Sequence, residues 1–397
     1  MNKLTKFLTG ALIAATLPGL AGDCPALSGE FTIGSSESAD FNTIGDAINA
    51  LKCGGVNAPV TFYLEDGTYE ERVVISDIPG ASAYNTIKFE SKSGNNSEVV
   101  ISYRTTDATL VLNGTAYVTF ENLTIDHKNA TYGNAVRIDG KAHHLTFKGV
   151  VFDGVEANRT GSNTATVYIT NTAPKHHITI QDCEINNGSV GIFKSGMSAE
   201  NPDTKTLITG TLFFNQYETG IYLANEDAPV ITNNVISSLS NFSSYKAINL
   251  DNASNNLIVS NNIINASNGS YGLVMNNCVA QATGMGQINN NSIAVGGNNE
   301  TYGVYLTGNT DNQILNYNRI KLTINNTPGA NQAYYRNHSS GNNINMLNNI
   351  LYDLSTGGYT IIGNTYKDFF NQLPSQSNPS LTVSANGIMI EKVSPIK

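Results

Sequence analysis

The sequence predicts an all-β protein, a right-handed single-stranded parallel β-helix of about ten coils, with an amphipathic helix capping its N-terminal end. Short apolar runs recur along the chain, clearest at 219–241, and none exceeds the length of a strand or shows a helical period. Charged residues make up only 13% of the sequence, and polar uncharged residues typical of turns replace them. Both observations favour stacked strands joined by tight corners.

The N-terminal 21 residues predict an export signal. Lys3 and Lys6 precede an apolar run, and Gly19 and Ala21 suit cleavage after Ala21. Cys24 lies one residue too far along for a lipoprotein signal. No other apolar stretch approaches the roughly 20 residues that span a bilayer. We therefore expect a secreted or cell-surface protein without a transmembrane segment.

Residues 22–104 are interpreted as an N-terminal cap and the first coils. Within 38–55, four apolar residues share one helical face, Asp40 is the expected N-cap, and Gly54-Gly55 ends the helix. These apolar residues are Phe41, Ile44, Ile48 and Leu51. Such a helix would cover the open end of the first coil. Strand-like runs follow in 60–75, 85–91 and 98–103.

Residues 105–365 form the predicted repeats, whose first inward positions are 25 to 31 residues apart. Helical repeats of similar period are not supported, because helical periodicity is absent. Right-handed crossover is the default connection between parallel strands. The aligned positions are Leu110, Val136, Val167, Ile192, Ile221, Ile248, Leu273, Val304, Tyr334 and Ile361. The remaining 366–397 are expected to hold a loop and a terminal strand or hairpin, as a cap or tail.

A second column places five asparagines at one turn of successive coils, where we expect side-chain amides to bond from coil to coil. They are Asn234, Asn262, Asn291, Asn318 and Asn349. Of the four cysteines, Cys24 and Cys53 are candidates for a disulfide in an exported chain. Cys183 and Cys278 lie on coils too far apart for the roughly 7 Å that a disulfide allows, and are expected to be buried thiols.

The net charge of −9, without a basic cluster after the first residues, argues against nucleic acid and anionic membrane surfaces as partners. The coil unit resembles the parallel β-helix repeats of the pectate-lyase-like superfamily. The segments ADFNTIGDAINAL and GTYEERVVI resemble the start of pectinesterases and of surface β-helix proteins of Gram-negative bacteria. The resemblance implies fold and sugar context only, because that superfamily includes polysaccharide-degrading enzymes and non-catalytic adhesins.

Pectinesterase motifs are not matched, since the chain has no Trp and its Gln181-Asp182 pair falls at the second turn. In β-helix enzymes the leading sheet usually forms the substrate groove. Its predicted outward column carries five aromatic residues, on which pyranose rings could stack or which could simply pack on one another. These candidate carbohydrate-binding residues are Tyr168, Phe193, Tyr222, Tyr305 and Tyr335.

Catalytic candidates are weaker. Asp139 and Asp251, in the next outward column, lie four coils apart, beyond the roughly 10 Å within which glycoside hydrolysis needs its carboxyls. Asp126 and Asp153 follow the third strands of neighbouring coils and could share a proton or bind Ca²⁺. Arg137 could then act as a lyase base. Ordinary turn chemistry explains the two aspartates equally well.

Two His-His pairs precede strands on adjacent coils and could hold a transition metal or simply pack at their corner. They are His143, His144, His176 and His177. The sequence therefore supports two hypotheses. The first is a non-catalytic surface protein that binds a polysaccharide or cell-surface glycan, or serves as an adhesive or structural element, without a cofactor. The second is a polysaccharide-degrading enzyme, foremost a lyase, for which Ca²⁺ is a possible cofactor.

Overall fold

The computed structural model describes residues 24–104, 107–128, 130–266, 268, 271–296, 300–322, 331–337, 343–347, 349–353, 361–362, 383–385 and 388–392. Three parallel sheets wind around an apolar core, as predicted, with about eleven turns. The leading and second sheets join into a hydrogen-bonded network of 24 strands, and the third sheet has 13. The predicted signal peptide and the predicted loop at 370–380 lie outside the described residues.

Most coils contribute one strand to each sheet, and one coil contributes both Asp203–Thr204 and Leu207–Thr209 to the second sheet. The leading strands are Val73–Ser76, Ala108–Asn113, Asn134–Asp139, Val167–Ile169, Val190–Ser195, Thr219–Asp227, Lys246–Ser254, Tyr271–Asn276, Thr301–Thr307, Asn331–Asn337 and Ile361–Ile362. The second strands are Leu27–Ile33, Val56–Leu64, Ile87–Ser91, Ala116–Glu121, His143–Lys148, His176–Gln181, Asp203–Thr204, Leu207–Thr209, Val230–Thr232, Ile258–Ser260, Gly286–Asn289, Gln313–Asn316 and Ile344–Leu347.

The third sheet closes each coil and ends in the expected hairpin. Its parallel strands are Gly67–Tyr69, Val99–Ser102, Thr124–Asp126, Val151–Asp153, Glu184–Asn186, Leu212–Phe214, Val235–Ser238, Ile263–Ala266, Ser292–Val295, Arg319–Leu322, Ile350–Asp353 and Ile388–Lys392. The strand Val383–Ala385 pairs antiparallel with Ile388–Lys392, which in turn pairs with Ile350–Asp353. A short 3-10 helix spans Ser162–Thr164.

The predicted inward column of the leading sheet is confirmed from Leu110 to Tyr334, each member pairing with the next and at most 1% exposed. The last position was wrong, because Ile361 pairs with Arg336 rather than with Tyr334. Arg336 lies two residues after Tyr334, and alternate residues of a strand share a face, so the shift does not change the face predicted for this position.

Phenylalanines stack along the inward face of the second sheet in the first coils. Their ring centroids lie 4.8 to 5.7 Å apart, close to the spacing of neighbouring strands. The members are Phe31, Phe62, Phe89, Phe120 and Phe147. Isoleucines continue this column in the next coils, so the same register fills the core with smaller side chains.

The helix Ile44–Gly54 covers the N-terminal end of this core, and its predicted apolar face is buried. The predicted N-cap Asp40 was wrong: Thr43 caps the helix through its hydroxyl, which accepts from the Asp46 amide at 3.0 Å. Asp40 instead accepts from the Thr32 amide at 2.8 Å. The helix ends at Gly55, whose φ of +67° suits glycine.

The asparagine ladder is confirmed. Each side-chain Nδ2 donates to the Oδ1 of the next asparagine at 2.9–3.0 Å, from Asn234 through Asn349, and all five residues are buried. Each Nδ2 also donates to a backbone carbonyl of the preceding coil. The left-handed backbone falls on the preceding residue, as at Asn233 and Asn261, rather than on the ladder asparagine.

The cysteines follow the expectation. Cys24 and Cys53 form a disulfide with a Cα–Cα distance of 5.5 Å, which ties the start of the described chain to the capping helix. Cys183 and Cys278 are buried free thiols. Burial raises the pKa of each thiol to about 12, so neither is poised to react as a thiolate.

Replacing Asn262 by Ala should lower the free energy of unfolding by about 2–4 kcal/mol, because buried donors and acceptors on three coils lose their partners. The matched control Asn265→Ala, an exposed asparagine on the same coil, should change it by at most about 0.5 kcal/mol. Urea unfolding followed by circular dichroism measures both. Equal effects of the two substitutions would contradict a structural role for the ladder.

Candidate functional site

The outward column of the leading sheet places all five predicted aromatic residues on one face of the molecule. Strand pairing brings Tyr168, Phe193 and Tyr222 onto consecutive coils. It also brings Tyr305 and Tyr335 onto consecutive coils. All five side chains are partly exposed, so their rings are available at the surface.

The first three rings form what we call the first aromatic patch. The ring of Phe193 lies 5.6 Å from that of Tyr168 and 4.7 Å from that of Tyr222. Burial raises the pKa of Tyr222, and the carboxylates of Asp251 and Glu218 add to this shift. The phenol therefore stays protonated at neutral pH and can donate a hydrogen bond.

The second aromatic patch contains Tyr305 and Tyr335 together with Tyr271 and Tyr302, which the sequence analysis missed. Ring centroids in this patch lie 5.0 to 5.6 Å apart. Tyr302 is 6% exposed and donates to Glu300 at 3.1 Å. Tyr271 and Tyr302 each lie three residues before the aligned outward position, and this repeated spacing was the signal available in the sequence.

A cleft of about 380 Å³ opens beside the first aromatic patch; we call it the arginine cleft. Its lining residues are Asp107, Tyr132, Gly133, Asn134, Arg137, Asn163 and Tyr168. Because Tyr168 belongs to both, the cleft and the first aromatic patch form one continuous surface.

Arg137 lies between two carboxylates in this cleft. Its Nε donates to Asp139 at 2.8 Å, and its Nη1 donates to Asp107, which also binds Arg72. Burial would lower the pKa of Arg137, but the hydrogen bond and charge of Asp139, with those of Asp107, raise it on balance. Such pairing opposes the loss of a proton from the guanidinium and therefore argues against the predicted role of Arg137 as a lyase base. Asp107 was missed because it precedes its strand and does not belong to the alternating pattern.

Asp126 and Asp153 are directly paired on neighbouring coils of the third sheet, as expected, whereas Arg137 lies on the leading sheet. Asp126 accepts from the Ser102 hydroxyl at 3.2 Å and from the Lys128 amide at 2.9 Å. Burial raises the pKa of Asp153; the charge of Lys128 opposes this shift and that of Asp126 adds to it. The structure therefore brings Asp126 and Asp153 together and places Arg137 on a different sheet.

The four histidines are in register at the first two positions of neighbouring second strands, a cluster that we call the histidine corner. His144 stacks on His177 with ring centroids 4.2 Å apart, and Tyr117 stacks on the other face of His144 at 4.7 Å. Both histidines have left-handed backbones, with φ of +51° and +55°. The Nδ1 atom of His143 lies 2.9 Å from that of His144, and His176 bonds the Thr204 hydroxyl.

Within the part of the chain that the structure describes, no group of three or more His, Cys, Asp and Glu side chains could hold a metal ion. Across the same residues, no helix has the length and apolar character needed to cross a bilayer.

The family model of the right-handed β-helix region matches residues 108–283. No curated protein sequence matches the chain. Solved structures share this architecture, and the chain accordingly has the right-handed parallel β-helix fold. The Dettilon tailspike protein has a TM-score of 0.54 at 16% identity, over 81% of this chain and 58% of its own, so this chain spans little more than half of the tailspike.

Two enzymes show comparable likeness. The GH136 lacto-N-biosidase from Eubacterium ramulus has a TM-score of 0.58 at 12% identity, over 84% of this chain and 67% of its own. The DFA-IIIase from Arthrobacter chlorophenolicus A6, solved in complex with DFA-III, has a TM-score of 0.50 at 11% identity, over 81% and 79%. Such low identities show a shared fold and do not transfer a reaction.

The histidine corner should make stability depend on pH. Desolvation lowers the pKa of His144, and the charge of His177 lowers it further. Desolvation also lowers the pKa of His177, and the charge of Lys205 lowers it further. At pH values just below the ordinary histidine pKa of 6.5, the unfolded chain therefore binds more protons than the folded chain does. The free energy of unfolding should decrease as the pH falls through 6.5 and level off below the folded pKa values.

Urea midpoints measured at about pH 7.5 and about pH 5 test this expectation. The matched variant with His144→Asn and His177→Asn should lose much of the pH dependence, because Asn accepts a left-handed backbone and does not titrate. An unchanged pH dependence in the variant would show that other groups cause it.

Proposed function

We propose that this protein is a secreted or cell-surface β-helix that binds a glycan along its leading sheet, as a recognition or adhesive surface without catalysis. The observation that carries this proposal is the pair of aromatic patches in register on one face. Partly exposed aromatic rings offer flat apolar faces, and phenol hydroxyls offer hydrogen bonds. A pyranose ring needs both, because it has apolar C–H faces and a polar edge.

The two patches suit an extended chain rather than a single sugar. Six coil steps separate Tyr168 from Tyr335, which is roughly 29 Å at the strand spacing of about 4.8 Å. Asn249 and Val274 lie between the patches in the same outward column. A linear glycan running along the β-helix axis would therefore contact the aromatic rings at both ends and polar or small side chains between them.

Similar proteins support a sugar context. The structures of similar fold include a tailspike and a lacto-N-biosidase, and the DFA-IIIase was solved with DFA-III bound. The net charge of −9 and the paired Arg137 favour a neutral glycan over a strongly acidic one. An extracellular location agrees with the disulfide between Cys24 and Cys53.

Replacing Tyr222 by Ala should weaken glycan binding about tenfold, which corresponds to about 1.4 kcal/mol, because the first aromatic patch loses one of its stacking faces. A glycan array identifies the ligand, and titration calorimetry measures the change. The matched control is Tyr84→Ala, since Tyr84 is an 88% exposed tyrosine outside the sheets. Equal affinities for Tyr222→Ala and the unmodified protein would rule out this face.

A polysaccharide-degrading enzyme is the second candidate, favoured by the two carboxylates that flank Arg137, of which Asp107 lines the arginine cleft. Asp107 and Asp139 both bond Arg137 and therefore lie within one guanidinium of each other. Glycoside hydrolysis needs two carboxyls at such short range, but one of them must be a proton donor. A guanidinium bonds best to ionised carboxylates, so this arrangement favours binding over catalysis.

Incubation with neutral and uronic polysaccharides, with and without Ca²⁺, separates the two functions. Reducing ends report hydrolysis, and ultraviolet absorbance of unsaturated products reports a lyase. We expect no cleavage. Cleavage abolished by Asp107→Asn, with glycan binding retained, would establish the enzyme. The Asp126→Asn variant, on the third sheet, tests the other predicted carboxylate.

A further inference from the structure

A fully buried group of charged side chains lies inside the coil that carries Phe193. Lys194 points into the core, at the level where the neighbouring coils place Ile169 and Leu223. Its Nζ contacts Oε2 of Glu226 and lies 2.8 Å from Oδ2 of Asp203. None of these three side chains is exposed to solvent.

The two carboxylates differ in how their oxygens are held. Oδ1 of Asp203 accepts from the backbone amide of Lys175 at 2.8 Å, and Oε1 of Glu226 accepts from that of Thr206 at 3.1 Å. Oδ2 of Asp203 has no hydrogen bond besides its ionic contact with Lys194. The second buried lysine, Lys175, directs its Nζ to backbone carbonyls of Thr170 and Ala173.

Charges removed from water in this way are costly, and only direct contact between opposite charges offsets that cost. A neutral lysine amine is a nucleophile. Because Nζ of Lys194 is held against the carboxyl group of Asp203, the two groups have a very high effective concentration relative to each other. Water, the product of amide formation, is scarce in the core, which further favours condensation.

From this geometry we propose that Lys194 and Asp203 form an intramolecular amide bond, with Glu226 as the proton carrier. Lys194 first gives a proton to Oδ2 of Asp203. Its neutral Nζ then attacks Cγ, and the Lys175 amide stabilises the negative charge that develops on Oδ1. Glu226 takes a proton from Nζ and delivers it to Oδ2, which leaves as water. One N–C bond forms, one C–O bond breaks, and no oxidant is needed.

Burial raises the pKa of Glu226, in keeping with a carboxyl that can hold a proton between these steps. The bond would join the strand Val190–Ser195 to the strand Asp203–Thr204. It would thereby close the loop between them, beside the first aromatic patch. A covalent loop at this position would protect the edge of the proposed binding face from local unfolding and proteolysis.

Peptide mass spectrometry of the reduced, denatured, trypsin-digested protein tests the proposal independently of glycan binding. In the wild type, the peptide covering 176–205 should lack one water molecule and remain uncleaved after Lys194. Glu226→Gln and Lys194→Arg should restore the full mass, apart from the substitution itself. Lys205→Arg, which changes an uninvolved lysine, should leave the water loss in place.

Each alternative outcome has a distinct signature. Loss of water with normal cleavage after Lys194 indicates cyclisation of Asp203 alone and overturns the proposal. A Lys194–Glu226 link would overturn Asp203 as the electrophile. Full mass and complete cleavage in wild-type protein with a β-rich circular dichroism spectrum would show an ordinary buried ion pair. Circular dichroism of Glu226→Gln shows whether that variant folds.

Discussion

The structure depends on one constraint, which is that equivalent residues of successive coils lie directly above one another. Parallel pairing holds the coils at strand spacing, and the side chains must therefore tolerate contact with their own equivalents. Apolar columns and the phenylalanine stack satisfy this requirement in the core. The asparagine ladder satisfies it at a corner, because each amide both donates to one neighbour and accepts from the other.

The same constraint makes an outward residue a functional unit rather than an isolated side chain. A tyrosine at one coil contributes little surface, whereas tyrosines on consecutive coils form a continuous face. The leading sheet carries two such patches, and the arginine cleft continues the first. In contrast, the paired Asp126 and Asp153 on the third sheet contact local turn and side-chain groups, so their proximity follows from the repeat itself.

The sequence predicted the fold, the coil register and the five aromatic positions because these follow from a repeated alternation of apolar residues. Features that depart from the alternation could not be predicted in the same way. Asp107 reaches Arg137 from outside a strand, and Lys194 occupies an inward position that apolar residues fill on neighbouring coils. The helix cap at Thr43 was also missed, since Asp40 satisfies the same local pattern and only the tertiary contacts distinguish them.

The central claim is that the leading sheet, and not another face, recognises the glycan. Hydrogen exchange with and without a glycan identified on an array locates the binding face directly. We expect slower exchange in the leading strands Val190–Ser195, Thr219–Asp227 and Thr301–Thr307, with no change in the third strands Thr124–Asp126 and Val151–Asp153. Protection confined to the third sheet would contradict it.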